Sequence, residues 1–342
     1  MWSVAAAASI SFGPLIGGYL VDDYSWHLIF DVNVPVGLAA ILFAIFIQKE
    51  WRGARAGSFD WPGFLCVVCF MPLLIFALAR GNSPLNPEGW SSPEVIGCFA
   101  VAAAALIVFI VRELRCENPL LNLKLLGERN FGVSMAVLAI FGIGMLGGTY
   151  LLPLYMQKGL GYTAIMAGSV FLPVGLIQGV LSTCSGFLTR YIKPLFIAVT
   201  GILVMTLSFY FASRFTLHTT HAQIMLVLYL RGFGMGLTFA PLNDFSLMNL
   251  SQRDMASAAG ISNSIKQLSG SVSIALLTVI LTGRTAFHSA QGGLSSAESY
   301  VAGISDDFLF VTFVSLASAL PFLWLLRPRR KAASFKSEGT GT

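Results

Sequence analysis

The chain has 342 residues, of which 56% are hydrophobic and 11% charged, with a formal net charge of +5 and a pI near 9.0. A soluble domain carries about a quarter charged residues, so this composition cannot build a water-facing shell, and low complexity is confined to the polar tail after Lys331. The basic residues lie between apolar runs and do not cluster on a solvated domain, which points away from nucleic acid and toward membrane lipid.

Windows of about 19 residues give ten predicted membrane helices: 3–21, 28–48, 60–79, 94–112, 132–156, 165–188, 195–213, 222–246, 262–282 and 307–326. The runs are continuous and do not alternate in segments of about ten residues, which predicts an all-α membrane protein and not a barrel. Met1 and Trp2 lead straight into Ala5–Ala8 without a basic leader, so the first run reads as a span and not as a cleaved signal peptide. Cytoplasmic loops carry the excess of Lys and Arg. One set of alternate loops holds sixteen: Lys49, Arg52, Arg55, Arg112, Arg115, Lys124, Arg129, Arg190, Lys193, Arg253, Lys266, Arg327, Arg329, Arg330, Lys331 and Lys336. The opposite set holds four, Arg80, Lys158, Arg214 and Arg284, and Arg231 alone falls inside a span. This bias predicts both termini in the cytoplasm and the chain in the plasma (bacterial inner) membrane.

The first span carries Gly13, Pro14, Gly17 and Gly18. Gly13 and Gly17 are four apart, so one helix face is expected to let another backbone approach closely, with Pro14 loosening the ladder beside it. A short acidic and aromatic loop follows, Asp22 to His27, and then Ile29, Phe30, Asp31, Val32, Asn33, Val34, Pro35, Val36 and Gly37. With these residues the sequence resembles the major facilitator superfamily, and within it the 14-span drug:proton antiporters of the EmrB/QacA type. Further stretches carry the resemblance in order: 59–64 (FDWPGF), 117–131, 152–175, 231–243 (RGFGMGLTFAPLN) and 256–276, then Arg284 and His288.

The resemblance implies a major facilitator fold of about ten helices. Residues 1–50 would be the last two spans of an N-terminal half and 51–116 an extra two-span insert. Residues 117–330 would be a complete six-helix C-terminal half and 331–342 a cytoplasmic tail. Gly13, Pro14, Gly17 and Gly18 match the family's antiporter motif. The family's first four spans have no counterpart, so the resemblance implies a chain that lacks the usual proton-carrying acid and does not transport by itself.

Arg231 is the one charge deep in a span. Such a residue faces a cavity or a partner, or it is a structural Arg satisfied by carbonyls. No Asp or Glu occurs in the 115 residues from Arg129 to Asn243. Asp244, near the cytoplasmic end of the eighth span, and Asp31, near the outer end of the second, could exchange protons, and both also suit an interface position. Tyr155, Gln157, Gln178 and Asn243 are candidate substrate contacts on apolar helices; interhelical hydrogen bonding is the competing reading for each.

Gly142–Gly147 fits G-x-G-x-x-G but opens no βαβ unit. His218 and His221 have the spacing of metal ligands without a third ligand beside them. The five cysteines sit in or beside apolar runs and imply no disulfide framework. All four His fall in expected outer loops, scattered in sequence. No enzyme, cofactor or metal is therefore expected. The resemblance implies a secondary active transporter, exporting hydrophobic or amphipathic compounds in exchange for protons. Its partners would be a small-molecule substrate, protons, lipid and a periplasmic adaptor protein. The alternatives are a non-transporting membrane protein and an exporter of an endogenous metabolite.

Overall fold

The structure, a computed structural model, describes residues 2–47, 60–81, 83, 86–116, 119–252, 254–291 and 293–325, with side chains from 12 to 322. The basic positions Lys49, Arg52, Arg55, Arg253, Arg327, Arg329, Arg330, Lys331 and Lys336, and the 331–342 tail, lie outside the described residues. The chain is all-helical: among the described residues there is no strand, and nine helical segments are long and apolar enough to cross a membrane. The first expected span, 3–21, is occupied by α1, Trp2–Asp23, whose 22 residues reach about 33 Å at 1.5 Å each.

The second span is α2 (Leu28–Asp31) and α3 (Asn33–Ile47), broken at Val32. The Asn33 side-chain amide donates to the Ile29 carbonyl at 2.9 Å at this break. None of the α3 residues is buried, as suits a helix with lipid as its solvent. The next pair, α4 (Trp61–Gly81) and α5 (Pro93–Arg115), pack on each other. Asp60 accepts from the Gly63 N–H at 3.1 Å and from Arg112 Nε at 2.7 Å, so the start of α4 is tied to the end of α5. Burial pushes the Asp60 carboxyl up, but the Arg112 guanidinium and the Gly63 N–H more than offset this and hold it below the usual carboxylate range.

The remaining helices form one bundle: α6 (Arg129–Leu154), α7 (Ala164–Ser169), α8 (Leu172–Leu188), α9 (Pro194–Ala212), α10 (His221–Leu247), α11 (Met255–Ala290), α12 (Ser296–Ala317) and the short α13 (Leu320–Leu325). The expected run 165–188 is split between α7 and α8, where Pro173 at the start of α8 lacks the N–H that would continue the first ladder. A π-turn, Tyr155–Gly159, ends α6, and Gly161 follows at φ +72°, a left-handed conformation that suits glycine.

Two expected spans need correction. Helix α11 covers 36 residues where 262–282 is expected, and α12 begins at Ser296 where 307 is expected. A hydropathy window reports the hydrocarbon crossing, whereas the backbone ladder continues into polar residues. In consequence Arg284 and His288, expected in an outer loop, are helical residues of α11.

Lipid tails are as apolar as leucine, so helices in a membrane associate through close packing of small residues and through interhelical hydrogen bonds. Both devices recur here. A Cβ on Gly201 of α9 would meet the Thr238 amide nitrogen at 2.8 Å and the Gly234 carbonyl at 2.9 Å, so α9 and α10 touch backbone to backbone. Ser208 donates to the Val227 carbonyl at 2.8 Å, Ser185 to Gly236 at 2.9 Å and Ser273 to Ile143 at 2.7 Å. These bonds tie α9 to α10, α8 to α10 and α11 to α6. Phe131, Phe141, Phe209 and Phe308 fill the interior.

The glycine-rich face of α1 packs against α7 and α8, in a different register from the one expected. Gly13 and Gly17 have nothing within 4 Å of an added Cβ. The close approach is at Gly18, where an added Cβ would lie 2.5 Å from the Ala164 carbonyl oxygen, and at Pro14, whose carbonyl carbon lies 2.8 Å from the Cβ position of Gly168. Residues 14 and 18 are also four apart, so the seam is the adjacent stripe of the same helix. At its end the Asp22 carboxylate accepts from the Ala164 N–H at 3.3 Å and the Ile165 N–H at 2.7 Å, capping α7.

Candidate substrate cavity

A cavity of about 490 Å³ lies between α6, α8, α10 and α11. Its apolar wall is Met135, Leu138, Met145, Met235, Phe239 and Leu242; its polar wall is Gln178, Ser182, Asn243, Asp244, Ser246, Ser262, Asn263 and Lys266. The volume lies within the range of small-molecule sites, and a mostly apolar lining with a few polar groups is their usual composition. Three methionines, with flexible and polarizable side chains, let such a wall adapt to differently shaped guests.

Of the residues singled out in the sequence, Gln178, Asn243 and Asp244 line this cavity together. Asn243 and Asp244 are exposed at its surface, while Gln178 is buried with its Oε1 unpaired among the described residues. Arg231 stands behind the wall. Its side chain is buried and Nη2 donates to the Met145 carbonyl at 2.9 Å and to the Thr149 hydroxyl, so it ties α10 to the middle of α6. Met145 faces the cavity, and the guanidinium therefore holds one of its lining residues from the rear. Nε and Nη1 have no partner among the described residues.

Tyr155, Gln157 and Asp31 are elsewhere. Tyr155 is fully buried, donates to the Thr216 carbonyl at 2.7 Å and stacks on Phe215 with ring centroids 4.8 Å apart. Gln157 is exposed in the π-turn, and Asp31 is exposed at the end of α2. The cavity also contains residues absent from the sequence reading, chiefly Lys266, there counted only as a loop cation. Ser262, Asn263 and Lys266 recur at helical spacing, and that polar stripe in an otherwise apolar run is the signal that could have found them.

Asp244 and Lys266 give the cavity one carboxylate and one ammonium, with no ion pair joining them among the described residues. Opposite charges on the wall of a mostly apolar cavity attract both a cationic and an anionic head, while the methionine and phenylalanine wall takes the apolar body. The arrangement suits amphipathic guests. Among the described residues no group of three or more His, Cys, Asp or Glu is placed to hold a metal ion.

Membrane-length helices bundled around a polar-edged cavity define an integral membrane protein of the helical transporter class. The chain belongs to the Major Facilitator Superfamily, which matches residues 1–274. It is similar to the uncharacterized MFS-type transporter YhcA of Bacillus subtilis, 30% identical over 292 residues, covering 85% of this chain and 54% of that protein. It is also similar to the multidrug export protein EmrB of Escherichia coli, 30% identical over 294 residues, covering 85% and 57% respectively. The fatty acid resistance protein FarB of Neisseria gonorrhoeae is 25% identical over 365 residues, covering 96% of this chain and 71% of FarB. The chain thus spans little more than half the length of the first two relatives, and the EmrB-type resemblance read from its motifs agrees with the name of the second.

Proposed function

We propose that the protein takes part in proton-coupled export of hydrophobic or amphipathic compounds across the plasma membrane, with α6–α12 forming a six-span half that supplies one wall of the translocation path. The cavity between α6, α8, α10 and α11, apolar on one side and bearing Asp244 and Lys266 on the other, is the observation that carries this reading. The name of EmrB, a multidrug export protein, supports the substrate class. The excess of basic residues in alternate loops supports an orientation with both termini in the cytoplasm. Residues 1–50 and 51–116 are read as part of the other half and as an inserted pair, and the α1 seam with α7 and α8 as the joint between halves. Asp244 is the cavity's acid, and Arg231 keeps the wall in shape. No chemical conversion of the substrate is proposed.

The test is drug-dependent proton release in everted membrane vesicles, together with binding of a fluorescent lipophilic cation to the purified protein in lipid nanodiscs. Saturable binding weakened by Asp244→Asn supports the reading. Absence of both binding and release overturns it. A second reading, export of amphipathic carboxylates, is favoured by Lys266 and by the name of FarB; binding of a fluorescent fatty acid that is lost on Lys266→Gln would select it.

A further inference from the structure

The least accommodated ionisable group is an acid that the cavity does not use. Asp307 lies on α12, within the apolar segment Ser296–Phe322, and is fully buried. Both of its carboxylate oxygens are without a hydrogen-bond partner among the described residues. The preceding residue, Asp306, points about 100° away around the helix and is partly exposed. It accepts from Arg284 Nε at 2.6 Å and pairs with His288 Nε2 at 2.8 Å. The Arg284 guanidinium and the His288 ring are therefore committed to Asp306, and the charge acting on Asp307 is that like-signed neighbour.

The other titratable groups on packed elements are engaged elsewhere. Tyr150 of α6 is bonded to Thr278 at 3.1 Å, Tyr155 to the Thr216 carbonyl, and Tyr210 of α9 to Arg214. Lys158 sits 5.9 Å above the ring of Tyr300, which is in electrostatic reach of Tyr150 and Asp307. An ionised carboxylate without water, cation or donor is far more costly to bury than a neutral carboxylic acid. Ionisable groups inside a membrane segment mark ion and proton pathways by default.

We infer that Asp307 is a proton-binding site, bearing its proton in this conformation and exchanging it with the aqueous phase by way of the Asp306–His288 pair. The side chains of His288, Asp306 and Arg284 are 18%, 28% and 44% exposed, so the pair adjoining Asp307 in sequence is open to solvent. The inference rests on the proton-coupled reading and adds to it a place in α12 where a proton is held, remote in sequence from Asp244. The proton moves from the Asp307 carboxyl to the Asp306–His288 pair and on to water; no other bond changes.

The experiment is infrared difference spectroscopy of the protein in lipid nanodiscs, in H2O and D2O. A carbonyl band of a protonated carboxyl is expected that shifts in D2O, disappears in Asp307→Asn, persists in Asp306→Asn, and exchanges at least tenfold more slowly in His288→Gln. Labelling the wild-type aspartates with ¹³C assigns the band independently should the Asn variant fail to fold. A band unaffected by both Asp307→Asn and aspartate labelling overturns the site, and unchanged exchange in His288→Gln overturns the route. Proton release in vesicles is scored separately. Absence of both release and drug binding with the band present overturns proton-coupled export and leaves the proton on Asp307; release intact with the band absent overturns Asp307 alone.

Discussion

Gly18 and Gly17 are adjacent in one helix and should respond oppositely to the same methyl group. A Cβ at Gly18 would lie 2.5 Å from the Ala164 carbonyl oxygen, 2.7 Å from its carbon and 2.9 Å from the Ile165 nitrogen, where ordinary contact begins at 3.4 Å. All three are backbone atoms, so no rotamer change relieves the overlap and α1 must retreat from α7 by about 0.9 Å. Overpacking of this kind costs about 1–3 kcal/mol. The retreat also stretches the Asp22 bonds to Ala164 and Ile165. Gly17→Ala meets nothing within 4 Å, and alanine exceeds glycine in a helix interior by about 1 kcal/mol, so that variant should be as stable as wild type or more so. Unfolding midpoints measured by SDS titration in mixed micelles should rank Gly17→Ala at or above wild type and Gly18→Ala clearly below. Equal midpoints, or the reverse order, would refute the assigned register of the seam.

Three further outcomes follow from the geometry. Arg231→Lys keeps the charge but cannot span both the Met145 carbonyl and the Thr149 hydroxyl; it should lower stability by about 1.5–3 kcal/mol, the worth of a charged hydrogen bond, seen as an earlier SDS midpoint. In binding titrations, Asp244→Asn should weaken a lipophilic cation roughly tenfold, about 1.4 kcal/mol, while leaving a fatty acid unchanged, and Lys266→Gln should do the reverse; parallel losses for both ligands would indicate damage to the cavity and not charge recognition. Because the Asp60 carboxyl is held below its ordinary value in the folded protein, its pairing with Arg112 stabilises the α4–α5 hairpin fully above that ordinary value, and the stabilisation is lost as pH falls through the lowered one. Thermal unfolding followed down a pH series should therefore show an acid-side loss in wild type that is absent in Asp60→Asn.

Much of the fold is written in hydropathy, since a segment that must cross hydrocarbon can only be a helix with its own hydrogen bonds satisfied. Helices α4, α5, α9 and α10 lie within two or three residues of the runs read from sequence. Hydropathy fails where a helix continues beyond the apolar run. Arg284, His288 and Asp306 sit on such extensions of α11 and α12 and therefore read as loop charges or boundaries, whereas Lys266 lies near the start of the expected run 262–282. Asp307 marks the start of an apolar window, and only the packing of α12 shows it to be interior. Register along a glycine-rich stretch is equally hidden, for Gly13 with Gly17 and Pro14 with Gly18 have the same spacing and only the partner helix chooses between them. The cavity is half legible: Asn243 and Asp244 announce themselves as polar breaks in a span, whereas Met145 gains its place from Arg231 on another helix.

Helix α11 ties two distant pieces of chemistry to one rod. Lys266 edges the cavity and Arg284 and His288 grip Asp306, and the 18 residues between Lys266 and Arg284 put them about 27 Å apart along an unbroken helix. No proline interrupts this stretch, and one continuous helix runs from end to end. On the proposed reading, a tilt that draws Lys266 toward a guest is carried along the helix toward Arg284 and His288. On that reading one backbone, and not a chain of side-chain rearrangements, links the cavity to the groups beside the buried acid.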